Sequence, residues 1–166
     1  ANMAEDFAPA RFRVELDASL RRLRFDHVDA ILLHSPPAAA LAVPGVPEAL
    51  ADLVASGRAR FFGVSVDDHA CLAAAVRLPG LSLVQATPDV LDEAAASGVA
   101  QEMRRLKVGV FVREVIRAQP DLAPPDAVAR AVARPDVTCA IVGTSRPAHL
   151  DGLIDGLAGG PAGGRA

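Results

Sequence analysis

The side chains able to do acid–base chemistry are few and unevenly placed. His34 closes the apolar run VDAILLH, Val28 to His34, and a histidine at a strand end can act as an acid or simply hydrogen-bond to backbone. Acidic residues gather near later strand-like runs: Asp67 and Asp68 beside His69, then Asp89 and Glu114. With His34 these could in principle ligate a divalent ion. They stand, however, at loop and helix-start positions where capping explains them, so no metal site is assigned. The run IVGTSRP, Ile141 to Pro147, joins a strand to a helix through Gly143, Thr144 and Ser145. Backbone N–H groups at such a junction bind anions, and Arg146 can pair with a phosphate; helix capping by Thr144 or Ser145, with Arg146 solvated, is the plainer alternative. There is no tyrosine, and Lys107 is the sole lysine, at the start of a strand. A phenolic proton donor is therefore missing, and a Schiff-base mechanism lacks its lysine near the strand ends. Cys71 and Cys139 lie in apolar segments far apart in sequence, which reads as two buried thiols rather than a disulfide or a metal pair.

The elements that must position these groups alternate between two periodicities. Phe12, Leu16, Ser19, Leu20 and Leu23 share one face at helical spacing, with Arg13, Glu15, Asp17, Arg21 and Arg22 largely elsewhere. Val28 to His34 is a continuous apolar run closed by Ser35-Pro36-Pro37, as expected of a strand buried on both faces. The alternation repeats, with helices expected near Pro47–Ser56, Asp68–Arg77, Ala94–Leu106, Asp126–Ala133 and Pro147–Leu157. Strands are expected near Ala59–Ser65, Leu81–Ala86, Val108–Val112 and Thr138–Val142. Parallel strands need covering crossovers, so the pattern predicts an α/β fold of parallel (β/α) units. Gly57, Gly80 and Gly98 are placed for helix ends or turns, and Pro124-Pro125 for the opening of a helix. A single domain over residues 1–157 is expected, followed by a flexible Gly/Pro-rich tail over 158–166, which lacks apolar side chains to bury.

Composition narrows the classes of function. In 166 residues, 51% hydrophobic and 22% charged, there is material for one globular core. A net charge of −3 with both signs scattered argues against a nucleic-acid partner or an acidic membrane surface. No apolar run approaches a membrane span and no signal pattern opens the sequence, so a cytoplasmic location is expected.

Four segments carry a resemblance. SLRRLRFDHVDAILLHSPP (Ser19 to Pro37) is similar to the SLxRL and LLH motifs of the aldo/keto reductases, and GRARFFGVS (Gly57 to Ser65) to their GKIRYIGVS segment. LVQ (Leu83 to Gln85) and ARPDVTCAIVGTSRPAHL (Ala133 to Leu150) follow in family order. The resemblance implies strands four to eight of a TIM-type barrel, with the N-terminal third absent, binding NADPH across the C-terminal strand ends and reducing aldehydes or ketones. Of that family's Asp, Tyr, Lys and His tetrad, only His34 carries over. Ser65 and Gln85 match residues that hold the nicotinamide carboxamide, or else make ordinary turn hydrogen bonds. Gly143, Thr144, Ser145 and Arg146 match the cofactor's phosphate-binding run, with Arg146 facing a 2′-phosphate. Several positions depart from the family: Val66 and Asp89 replace two asparagines, Arg113 replaces an aromatic platform, and Gly152-Leu153 replace a Glu-Asn pair.

Three functions follow as expectations. The chain is an aldo/keto-reductase-like protein whose NADP-dependent activity on a small carbonyl substrate is restored by a chain completing the barrel, or a catalytically inactive binding or assembly protein. The third is a repurposed enzyme using His34 with Glu114 or Asp89. An arc of five strands leaves open edges, so a homo-oligomer or a barrel-completing partner is expected.

Overall fold

The computed structural model describes residues 7–158, and five parallel strands lie side by side in chain order, β1-β2-β3-β4-β5. Helix α1 (Pro9–Leu23) leads into β1 (Val28–His34). Short α2 (Ala38–Leu41) and α3 (Val46–Ala55) cross to β2 (Ala59–Ser65), and α4 (His69–Ala75) crosses to β3 (Leu83–Ala86). Then α5 (Pro88–Ser97) and α6 (Val99–Arg105) precede β4 (Gly109–Val112), α7 (Pro124–Val132) precedes β5 (Cys139–Ala140), and α8 (Pro147–Ala158) closes the described chain. The expected tail lies, after Ala158, outside the described residues. No helix among them is long and apolar enough to cross a membrane.

The register sorts each strand into two faces. Leu33 pairs with Val64, Val64 with Val84 and Val84 with Val110, and all four are buried beneath the helices. Their neighbours point the other way, as the two-residue period of a strand requires. His34 thus stands beside Ser65, Ser65 beside Gln85, Gln85 beside Phe111, and Phe111 beside Cys139, a row running across every strand of the sheet. One pleat below, Leu32, Gly63, Leu83 and Gly109 form a second row. There Leu83 folds over Gly63, where an added Cβ would meet the Leu83 Cγ at 2.6 Å. A side chain at Gly63 would evict the leucine that fills this part of the inner face.

The helices cover the outer face only. Phe12, Leu16 and Leu20 of α1, Leu50 and Leu53 of α3, Leu72 of α4, Leu91 of α5 and Met103 of α6 join the strand valines in one core. The inner face is partly open: Phe61 on β2 is 48% exposed, while Ala59, Ser65 and Leu83 on the same face are buried.

The largest departures from the sequence pattern concern one helix, one strand and one cysteine. The helix expected over Ala94–Leu106 is two: α5 begins earlier, at Pro88, and Gly98, with φ of 86°, both ends it and opens α6. Only glycine takes that left-handed conformation without strain, and the apolar spacing on either side runs on through it. Strand β5 is two residues where five were expected: its pairing is limited to Cys139 beside Phe111 and Ala140 beside Val112 of β4. Cys139 is exposed, contrary to the expected buried thiol: it sits on that edge strand and on the open inner face. Cys71 is buried as expected, its Sγ donating to the Pro36 carbonyl at 3.0 Å.

Candidate functional site

Parallel strands bring all their C-terminal ends to one rim, so the residues singled out by sequence meet there or just beyond it. His34 is the last residue of β1 and exposed, and its imidazole is hydrogen-bonded to no other described residue. The next residue, Ser35, has φ of 51° and donates its N–H to the Ser65 carbonyl at 2.9 Å, which fixes the turn just past the histidine.

Ser65 and Gln85 are brought together. The Ser65 hydroxyl donates to Gln85 Oε1 at 2.8 Å, and Ser65 is only 2% exposed. The Ser65 hydroxyl is thereby satisfied, while the Nε2 amide of partly exposed Gln85 has no partner among the described residues. Val66, where an amide side chain was expected, is fully buried, and its N–H donates to the Gln85 carbonyl at 2.8 Å.

Arg113 is not a free platform either. Its guanidinium donates to the Val66 carbonyl at 3.1 Å and to Asp67 Oδ1 at 2.5 Å, and it also pairs with Glu114, which holds Arg117 on its other oxygen. This network bridges the loops after β2 and β4 across the end of β3. It uses up two of the carboxylates that could have served a metal. Asp68 is likewise committed, capping α4 by accepting from the Cys71 N–H at 2.7 Å. Asp89 is held below the usual carboxylate range by a hydrogen bond from Thr87. His69 bonds Ser97 Oγ at 2.7 Å. Among the described residues no three His, Cys, Asp or Glu side chains converge as a metal site would require.

Gly143 to Arg146 lies apart from this cluster. The Thr144 hydroxyl accepts from the Arg146 N–H at 3.2 Å and donates to the Arg146 carbonyl at 3.3 Å, a local turn at the entrance to α8. All four residues are exposed, and Arg146 forms no ion pair with any described residue. Lys107 stands before β4, at the opposite end of the strands.

Two clefts open near this rim, and neither touches His34, Ser65 or Gln85. One of about 1040 Å³ is lined by Asp89, Asp92, Arg113, Arg117, Arg130 and Arg134 among others. The other, of about 860 Å³, runs between Val115–Arg117, Pro124-Pro125 and α8, and reaches Gly143 and Thr144. Sequence reading missed both the charged network and the place of Phe111 and Cys139 in the inner row. Strand period alone could have placed Phe111 and Arg113 on one face. What it could not supply was the register that sets them beside Gln85 and Cys139.

An open arc of parallel (β/α) units with polar groups at its C-terminal rim defines part of a TIM-type barrel. Comparison with known proteins agrees: the sequence profile of the Aldo/keto reductase family matches residues 1–119. A Pseudomonas aeruginosa protein assigned as an aldo-keto reductase is 26% identical, with a TM-score of 0.75, the match covering 92% of this chain and 60% of that one. An aldo-keto reductase from Bacillus halodurans, solved in its holo form, is 16% identical with a TM-score of 0.78 and coverage of 93% and 64%. A thermostable aldo-keto reductase in complex with the inhibitor epalrestat is 21% identical, with a TM-score of 0.61 and coverage of 86% and 59%. No functionally curated protein matches the sequence. The chain belongs to the aldo/keto reductase family, and it spans about 60% of the length of these solved relatives. Members of the family use NAD(P)H and act on small carbonyl compounds.

Proposed function

We propose that this chain is the part of an NADP-dependent aldo/keto reductase that holds the cofactor by its adenosine phosphate, and that alone it does not reduce carbonyls. The observation carrying this reading is a contrast between the two ends of the rim. Arg146 is exposed and unpaired among the described residues, beside the backbone of Gly143–Ser145 and next to an apolar cleft. A phosphate fits there, held by backbone N–H groups and a charge-assisted bond from Arg146.

The nicotinamide end does not fit in the same way. Ser65 and Gln85 bond each other, and Arg113 is tied to Asp67 and Glu114. NADPH supplies a hydride when bound in a complete barrel. In this chain His34 is the one rim residue suited to orient a carbonyl oxygen or donate a proton, and there is no tyrosine to do so. A single domain over residues 1–157 with a Gly/Pro-rich tail, a cytoplasmic location, and an oligomer or completing chain belong to the same reading. A catalytically inactive binding or assembly protein is the second reading, favoured by the Ser65 hydroxyl being spent on Gln85 Oε1.

Calorimetric titration tests the first. NADP and 2′,5′-ADP should bind with similar affinity, both weakened by added salt, and Arg146→Ala should weaken both by about tenfold or more. No binding of either ligand would reduce Gly143–Arg146 to a helix entrance. A strong preference for NADP would show that a nicotinamide pocket operates after all.

A further inference from the structure

A second charged region lies at the other end of the strands from the rim. There the turn after α1, Arg24 to Asp26, faces the turn between α3 and β2, Ser56 to Arg58, across a cleft of about 470 Å³. Both walls are tied to the fold. The Phe25 N–H donates to the Leu20 carbonyl at 3.2 Å, and the Val28 N–H to the Arg58 carbonyl at 3.0 Å. The cleft is thus fixed by the connections into β1 and β2, at the far end of β1 from His34.

What its charges leave over is cationic. Between Arg11 and Arg24 five arginines face two carboxylates, Glu15 and Asp17, in a chain whose net charge is −3. Asp17 is taken up by Arg58 at 2.6 Å, with Arg13 at 3.9 Å on its other oxygen. Asp26 is bonded to His27 and almost fully solvated. Arg21 and Arg24 also line the cleft, and neither forms an ion pair with any described residue. The hydrogen bond from Arg58, then the charges of Arg58, Arg13 and Arg21, hold Asp17 below the usual carboxylate range, so Arg21 stands near that pair without joining it. The C-terminal ends of α1 and α3 each carry only about half a unit of negative charge, so two unpaired guanidiniums exceed what the helix dipoles require.

Arg24 is held in place at a cost. It closes α1 in the left-handed conformation, with φ of 58°, where glycine is the usual residue and a longer side chain is strained. Strain of this kind persists where the surroundings impose it, and it gathers at ligand sites. Beside it Phe25 is 66% exposed, an aromatic face set among guanidiniums instead of in the core.

A ligand matching this cleft brings an anion for two planar guanidinium forks and a flat ring for the phenyl face. The volume suits a mononucleotide. We propose that Arg21, Arg24 and Phe25 form a binding site for a nucleoside phosphate, with the phosphates held by the two guanidiniums and the base stacked on Phe25. This site is separate from any cofactor at the rim and does not rest on the proposed function.

The test is calorimetric titration of the whole chain, carrying Arg146→Ala to silence the rim, with adenosine 5′-diphosphate and with inorganic pyrophosphate as the ring-free control. The nucleotide should bind roughly tenfold more tightly than pyrophosphate, since stacking on an aromatic face contributes about that much. Phe25→Ala should bring the nucleotide down to the level of pyrophosphate. Arg24→Gly should weaken both by about tenfold or more through loss of a charge-assisted bond, while the melting temperature holds or rises because glycine relieves the left-handed turn. A merely structural Arg24 would give the rise without the loss. The proposal is overturned if the nucleotide binds no better than pyrophosphate, if binding is indifferent to Arg24→Gly, or if no binding is seen at millimolar concentration. Nucleotide binding that appears only with Arg146 intact would place the ligand at the rim and overturn it equally. A single-stranded oligonucleotide that competes at far lower concentration would make nucleic acid the occupant in place of a free nucleotide.

Discussion

Ser65 and Gln85 show how a pair of polar residues at a strand end can be functional in one setting and structural in another. The hydroxyl of Ser65 is buried and spends its proton on Gln85 Oε1. Ser65→Ala should therefore lower stability by about 1 kcal/mol, the usual net worth of a hydrogen bond whose acceptor can still reach some water. Urea denaturation measures it, and an unchanged midpoint would mean that Gln85 is equally well solvated without the serine. Cys71 provides a second check. Burial, reinforced by Asp68 and Asp67, pushes its thiol up to about 11. Near pH 8 only about one molecule in a thousand then carries the reactive thiolate, so iodoacetamide should modify Cys139 and leave Cys71 untouched until the chain unfolds. Rapid labelling of both cysteines in the native chain would contradict the packing of Cys71 against Pro36. Sequence showed the types of all these residues. It did not show that Arg113 is captured by Asp67 and Glu114, because those carboxylates come from different loops and meet only once β2, β3 and β4 are in register.

At the scale of elements, apolar periodicity was enough to place β1 and β2 over their observed ranges and to set α1 on its Phe12–Leu16–Leu20 face. It failed where one residue overrides a period, at Gly98, and where pairing decides length, at β5. The segment before β5 is pinned by charge instead. Arg134 reaches Asp136 at 3.1 Å and Asp92 of α5 at 2.5 Å, joining the end of α7 to its neighbour. Burial of Asp136 raises its pKa, but the hydrogen bond and charge of Arg134 outweigh this and leave it below the ordinary carboxylate value. A depressed folded-state pKa means that the stabilisation is fully present above the unfolded value and is lost as pH falls through the folded one. Asp136→Asn should thus cost about 1–2 kcal/mol near pH 7, discounted for the partial exposure of Arg134, and the gap from wild type should close as the solution is acidified below the usual carboxylate range. Thermal melts at neutral and acid pH test the sign: a difference that widened on acidification would exclude Arg134 as the cause.

For the molecule as a whole, the position of the strands in the family barrel decides what the isolated chain can do. Its five strands bring His34, Ser65, Gln85, Phe111 and Cys139 to one rim, and this much follows from parallel order and register alone. Carbonyl reduction also demands a proton donor in hydrogen-bond reach of the carbonyl oxygen and a hydride donor held over its carbon. Sequence already excluded a tyrosine for the first task, and Lys107 stands at the far end of the strands. For the second, the Ser65 hydroxyl is spent on Gln85 at the rim, and the arc is open to water, with His34 exposed at the end of β1. A well-placed acid–base group contributes roughly 10²–10⁴-fold to rate, and an open, hydrated site weakens the remaining polar contacts as well. The isolated chain is therefore expected to show no NADPH oxidation above background with aldehydes such as 4-nitrobenzaldehyde, at any pH between 5 and 9. Turnover in the range of family enzymes that vanished in His34→Ala would overturn this, because it would make the histidine sufficient as proton donor and the open arc sufficient as a site.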